Sequence, residues 1–158
     1  MDVEIESAVS KDFEAIVALE RQCFTSEAFS RQQLLYLLRD YSSTSLVARG
    51  ADGGVVGFVI VQLDKDRDKS EKGEGVVFGH IVTLNVAVNF RRRGVARKLL
   101  FKCEEVLKLC GVFECRLEVR QANYVALALY RQMGYVEMGI LRWYYGKEHG
   151  LYFKKKFS

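Results

Sequence analysis

At 158 residues, 49% of them hydrophobic, the chain can build one well-packed core and is too short for two comfortable ones. Its 24 Lys and Arg against 20 Asp and Glu leave a net charge of +4, which suits an anionic small molecule and excludes the strongly basic profile of a dedicated nucleic-acid binder. No apolar run reaches membrane-spanning length and no signal-peptide pattern appears, so we expect a single cytosolic domain over residues 1–158 with no membrane partner.

Residues 2–9 alternate Val3 and Ile5 with Glu4 and Glu6, the period of a half-buried strand. From Ser10 onward, Phe13, Ile16, Val17, Glu20, Cys23 and Phe24 recur at helical spacing, and Asp12 and Glu14 suit the positive end of that helix. Ser30 with Gln33 makes a capping box and Phe29 with Leu34 a hydrophobic staple, predicting a second helix through Leu38. Phe24 and Phe29, in the short loop between the helices, are core anchors that could also wall a substrate site.

Ser45 to Arg49 and Val55 to Leu63, on either side of Gly50-Ala51-Asp52-Gly53-Gly54, predict a hairpin. Residues 65–75 carry four basic and four acidic side chains, a balance that predicts a solvated loop and no grip on nucleic acid. Val76 to Val86 returns to strand, with Phe78, His80, Val82, Leu84 and Val86 on one face.

Arg91-Arg92-Arg93-Gly94-Val95-Ala96 then stands at the mouth of a helix whose stripe is Val95, Leu99, Leu100, Cys103, Val106, Leu107 and Cys110, with Gly111 as its stop. A glycine at a helix start lets backbone N–H groups approach an anion, and the helix end adds partial positive charge where amides lack partners. The arginines add charge and donors, so the expected guest carries a pyrophosphate or several phosphates.

Phe113 to Arg120 reads as a strand with Cys115, Leu117 and Val119 on one face and Arg116, Glu118 and Arg120 on the other. Asn123 opens a last helix, largely apolar through Val125, Leu127, Ala128, Leu129 and Met133, which Gly134 ends. Tyr135 to Ile140 and Leu151 to Phe157 are closing strands, and Lys154, Lys155 and Lys156 are expected to keep a solvated edge from aggregating. Cys23, Cys103, Cys110 and Cys115 lack paired spacing, so buried free thiols are expected, with no metal site and no disulfides.

Two blocks and a loop carry a family resemblance. Arg91, Gly94 and Ala96 meet the motif Gln/Arg-x-x-Gly-x-Gly/Ala. Leu117-Glu118-Val119-Arg120-Gln121-Ala122-Asn123, then Ala126, Leu129-Tyr130 and Gly134-Tyr135, resemble the second block of RimI-like protein N-terminal acetyltransferases of the GNAT superfamily, and Tyr144-Tyr145 resembles their paired-tyrosine loop. The resemblance spans essentially the whole chain. It implies an α/β (α+β) fold with a mixed, mostly antiparallel seven-stranded sheet and about four helices on both faces.

The resemblance also implies acetyl-coenzyme A as cofactor and a protein or peptide N-terminus as acceptor. The pyrophosphate would sit on backbone amides of Arg92 to Arg97 with Arg91 beside them, the pantetheine arm along Leu84, Asn85 and Val86, and Asn123 near the reactive end. Glu118 would accept the proton of the amine, Tyr130 would protonate the departing thiolate, and His80, in a Gly79-His80-Ile81-Val82 run like that of archaeal relatives, would assist the base. Phe24, Glu27, Tyr144 and Tyr145 would line the peptide. From the residues alone, Glu118 reads as an ion-pair partner of Arg116 or Arg120 on its own strand face. The chain departs from the family at Ala87-Val88-Asn89, where a proline is usual, and at Glu148-His149-Gly150, where Glu-Asp-Ala is usual. The second departure, together with the charged segment, leaves other acceptors open: a lysine, a polyamine or another small amine. A non-catalytic acyl-coenzyme A sensor is the alternative of another class.

Overall fold

The computed structural model describes residues 3–24, 28–66 and 75–157. Along them run β1 (Glu4–Ser7), a 3-10 turn (Ser10–Asp12), α1 (Phe13–Cys23), α2 (Arg31–Arg39), β2 (Ser43–Arg49), β3 (Val55–Lys65), β4 (Val77–Val86), a second 3-10 turn (Val88–Phe90), α3 (Val95–Leu109), β5 (Glu114–Arg120), α4 (Tyr124–Gln132), β6 (Val136–Leu141) and β7 (Gly150–Lys156). This is the succession that the hydrophobic periods lead one to expect. The strands form a seven-stranded mixed sheet in the order β1-β2-β3-β4-β5-β7-β6. β1 with β2, β2 with β3, β5 with β7 and β6 with β7 are antiparallel, whereas β4 and β5 are parallel, with Gly79 opposite Cys115 and His80 opposite Arg116. By contacts the chain divides into two compact units, Met1–Gln62 with Ile81–Val106 and Leu63–His80 with Leu107–Ser158.

In the first unit Ile16, Val17 and Leu19 of α1, Leu34 and Leu37 of α2, and Val47, Phe58 and Ile60 of β2 and β3 form one buried cluster. Each such side chain contributes about 1.5–3 kcal/mol of burial, so this cluster fixes how both helices lie on the strands. α2 starts as its sequence requires. The Ser30 hydroxyl accepts the Gln33 N–H at 3.1 Å, the Gln33 side chain accepts the Ser30 N–H at 2.8 Å, and Phe29 packs on the cluster that holds Leu34. α1 starts differently from expectation, because Ser10–Asp12 is a 3-10 turn and Asp12, the N-cap residue of α1, makes no side-chain cap hydrogen bond. Its carboxylate takes the Val9 N–H at 2.9 Å and ion-pairs with Arg49 at 2.8 Å.

On β4 the face shared by His80, Val82, Leu84 and Val86 is half-buried, while Ile81, Thr83 and Asn85 on the other face are buried, Thr83 and Asn85 against a carboxylate of α1.

In the second unit Cys115, Leu117 and Val119 of β5, Leu127 and Tyr130 of α4, and Leu151 and Phe153 of β7 are buried, in the alternation read from the sequence. Two expectations fail here. β7 lies between β5 and β6, so Lys154–Lys156 do not border the sheet; Lys154 is half-buried and pairs with Glu114 at 3.7 Å. Cys110 follows the last residue of α3 and is exposed; the four cysteines are free, with Cys103 and Cys115 buried and Cys23 half-buried. Most of the charged segment, residues 67–74, lies outside the described residues, as does Glu27. Among the described residues no helix is long and apolar enough to cross a membrane.

Candidate functional site

Two sets of side chains and backbone groups carry chemistry, one in each unit. In the first, β4 ends at Val86 and the chain passes through Val88–Phe90 into the arginine turn and α3. Arg91 is tied down: its Nε donates to the Val86 carbonyl at 3.2 Å and its Nη2 meets the Cys23 sulfur at 3.4 Å. Arg92 and Arg93 are exposed, the latter over the Phe90 ring at 5.2 Å. Arg92 (φ 64°) and Gly94 (φ 78°) both take the left-handed conformation. For an arginine that conformation is strained by about 1–2 kcal/mol, and a run of alternating hands turns successive N–H groups toward one concavity. A Cβ built on Gly94 meets nothing within 4 Å, so the glycine is demanded by backbone hand, and the space beside it is open.

Val95, Leu99 and Leu100 are buried and anchor α3, Ala96 is half-buried, and Arg97 is exposed. The start of the helix therefore lies on a fixed axis, and a helix N-terminus is the arrangement that favours an anion. Leu84 and Val86 are half-buried and Asn85 is buried, on the strand that leads to this turn.

Asn85 belongs to a network that the sequence pattern concealed. Glu20, 1% exposed, takes the Thr83 hydroxyl and the Asn85 amide on one oxygen, both at 2.8 Å, and the Phe29 N–H on the other at 3.0 Å. A buried carboxylate needs such donors to offset its desolvation. Through them α1, the start of α2 and the end of β4 are joined, and Phe24, half-buried, follows α1 directly. Helical spacing alone makes Glu20 one more member of the inward stripe; that Thr83 and Asn85 would face it needed the tertiary fold.

In the second unit His80 and Glu118 meet, Nε2 to Oε1 at 2.8 Å, with side chains 29% and 18% exposed. The Tyr144 hydroxyl hydrogen-bonds to Glu118; burial first, then the Glu118 charge and that bond, raise the Tyr144 phenol above its ordinary pKa. Tyr145 stacks on Tyr144 with centroids 4.9 Å apart, and burial, with the charges of Tyr144 and Glu118, pushes its phenol up to about 12. Both phenols thus stay protonated near neutral pH and can donate. Tyr152 stands opposite Glu118 in the β5–β7 register; burial raises its phenol, while the charge and hydrogen bond of Arg116 oppose that.

Neither arginine of the Glu118 strand face leaves it as a mere ion-pair partner. Arg116 is clamped by Asp66 at 2.6 Å and by Glu114 at 2.5 Å and lies over the Phe78 ring, and Arg120 pairs with Glu148 at 2.7 Å. The hydrogen bond to Asp66 is the main reason the Arg116 guanidinium is held above its usual range, and the same bond lowers Asp66. His80, Glu118, Tyr144 and Tyr145 are thus brought together. Tyr130 is buried in α4 with its ring edge-on to Tyr135 at 5.7 Å, and Asn123 caps α4 by accepting the Ala126 N–H at 3.2 Å. Tyr152 was missed; its signal was the alternation with buried Leu151 and Phe153, which puts it on the Glu118 face once β7 pairs with β5.

Known proteins resemble this chain along nearly its whole length. The N-alpha-acetyltransferase of Sulfurisphaera tokodaii is 28% identical over 153 residues, covering 96% of this chain and 90% of that protein. Among solved structures, Ard1 from Thermoplasma volcanium superposes with a TM-score of 0.84 at 24% identity, covering 100% of this chain and 99% of that one. The ribosomal-protein-S18-alanine N-acetyltransferase from Escherichia coli does so with 0.82 at 24% identity, covering 99% and 94%. The model of the acetyltransferase (GNAT) family matches residues 13–135, a span that holds the arginine turn, His80, Glu118 and Tyr130, and the chain belongs to that family.

Proposed function

We propose that this protein transfers the acetyl group of acetyl-coenzyme A to the α-amino group of a protein or peptide N-terminus, by direct attack of the neutral amine on the thioester carbonyl. The observation that carries the reading is the His80–Glu118 hydrogen bond of 2.8 Å with Tyr144 on the same carboxylate. A carboxylate held in this way can accept the proton that the amine must lose, directly or through one water. The demand on it is modest for a terminus. With a free pKa near 8, about a tenth of an α-amine is already neutral at pH ~7, whereas a lysine is poorer by about 2.4 units, or ~3.3 kcal/mol.

Residue roles follow from chemistry and position. Glu118 takes the proton, and the His80 Nε2–H fixes the carboxylate. Tyr130 gives a proton to the sulfur as the C–S bond breaks, and Asn123, at the start of the same helix, sits near the reactive end. The amides of Arg92 to Arg97, with Arg91 anchoring the turn, fit a pyrophosphate, since the turn is concave and open at Gly94. The backbone of Leu84, Asn85 and Val86 suits the pantetheine arm. Tyr144 and Tyr145 line the acceptor. The relatives' names, an N-alpha-acetyltransferase and a ribosomal-protein-S18-alanine N-acetyltransferase, support the α-amine as acceptor.

The test is to incubate the protein with acetyl-coenzyme A and short peptides that differ in their first residue, following thiol release and peptide mass. At least one N-terminal class is expected to gain a single acetyl group. Binding of coenzyme A without modification of any peptide would contradict the reading and leave an acyl-coenzyme A sensor.

A further inference from the structure

The loop between β6 and β7 holds Tyr144 on Glu118, and something must hold the loop. Its Trp143 takes a left-handed backbone (φ 53°), which a bulky side chain does not adopt without compensation. The compensation is His149, whose Nδ1 receives the Trp143 N–H at 2.9 Å while its ring lies against the indole, centroids 4.2 Å apart. A backbone N–H can only donate, so Nδ1 must carry a lone pair, and an imidazolium cannot serve.

The rest of the loop is fastened without a titrating nitrogen. The Gln121 N–H bonds to the His149 carbonyl at 3.0 Å, the Tyr145 N–H to the Glu148 carbonyl at 3.1 Å, and the Ala122 N–H to the Glu148 carboxylate at 2.8 Å. The charged groups that the loop and β5 bring here are Arg142 and Lys147, both exposed, Glu148, paired with Arg120 at 2.7 Å, and Glu118, held by His80 and Tyr144. Arg120 also lies over the Tyr145 ring at 4.6 Å. Glu148 and Arg120 balance each other, which leaves the Nδ1 lone pair as the element of the latch that a proton removes.

We propose that His149, as the neutral imidazole, is the positioning residue that sets the Trp143–Tyr145 loop and so places Tyr144 on Glu118, and that protonating His149 releases the loop and weakens use of the acceptor. The part concerning the acceptor rests on the acetyl-transfer reading above; the part concerning the loop does not.

Trp143 is the sole tryptophan of the chain and His149 one of two histidines, so its fluorescence reports on this loop. Emission of the protein is followed from pH about 8 to about 5, beside His149→Asn, which keeps an acceptor oxygen but has no imidazole, and His149→Ala. Parent emission should fall with protonation as the imidazolium quenches the indole, and both variants should stay flat.

With a peptide acceptor, His149→Ala should lose about tenfold in kcat/KM, as befits one lost hydrogen bond, with KM for acetyl-coenzyme A within about twofold of the parent. His149→Asn should restore the parent value to within about twofold at pH ~8 and exceed the parent at pH ~5.5. A parent whose fluorescence does not titrate, an Asn variant that titrates like the parent, or an Ala variant with parental kinetics at every pH would each overturn the proposal. If fluorescence behaves as expected and no peptide is acetylated even by the parent, the acceptor reading fails and the latch stands.

Discussion

Glu118 shares its strand face with Arg116, which Asp66 and Glu114 clamp, and with Arg120, which pairs with Glu148, while its own carboxylate meets His80. Sequence spacing places the three residues on one face but says nothing of the partners that reach in from distant segments, so it could not separate a base from an ion pair. The contact with His80 is 38 residues away in sequence and follows from the parallel β4–β5 register, where His80 stands opposite Arg116. If Glu118 accepts the proton, Glu118→Gln keeps size and hydrogen bonding and removes basicity. Its kcat/KM should fall by about a hundredfold or more while coenzyme A affinity, measured by calorimetry, stays within about twofold. Undiminished turnover would show that the base lies elsewhere.

Elements were the most legible level. Ser30, Gln33, Phe29 and Leu34 specify the start of α2 through local bonds alone, and the structure makes the bonds that their spacing requires. On β4 alternation separates the two faces but not their burial, since Thr83 and Asn85 are drawn inward by Glu20, a partner on another element. The turn before α3 was legible because a glycine there has a backbone reason. At φ 78°, Gly94→Ala should cost about 1–2 kcal/mol of stability in a denaturant titration. It should also weaken coenzyme A binding measurably, since the carbonyl and N–H directions of the turn would shift. Unchanged stability and unchanged affinity together would mean that the left-handed residue is dispensable.

At the scale of the whole molecule, strand order is what composition and periodicity do not encode. Lys154–Lys156 look like edge protection in one dimension and turn out to occupy a strand paired on both sides. The charge pairs that join distant segments set the response to acid. Burial alone would raise Asp12, but the hydrogen bond from Arg49, the Val9 N–H and the Arg49 charge prevail and lower it. Asp66 is lowered by its bond to Arg116, and Glu148 by the Ala122 N–H and then by Arg120. A carboxylate whose folded pKa lies below its unfolded value stabilises the fold in full above the unfolded value, about pH 4, and loses that contribution as pH falls through the folded one. The urea midpoint should therefore fall below about pH 4.5, less steeply in Asp12→Asn. A midpoint that does not fall in acid would contradict this reading of the pairs.

The chemistry proposed for the whole molecule turns on which amine receives the acetyl group. A peptide with both a free α-amine and an internal lysine, offered alongside an N-terminally blocked copy and a polyamine, lets the acceptors compete in one tube. Fragmentation of the products locates the label. Acetyl on the α-amine, with the blocked peptide and the polyamine untouched at matched concentration, is the expected result. Acetyl on the lysine of the blocked peptide or on the polyamine, with the free α-amine left bare, would contradict it.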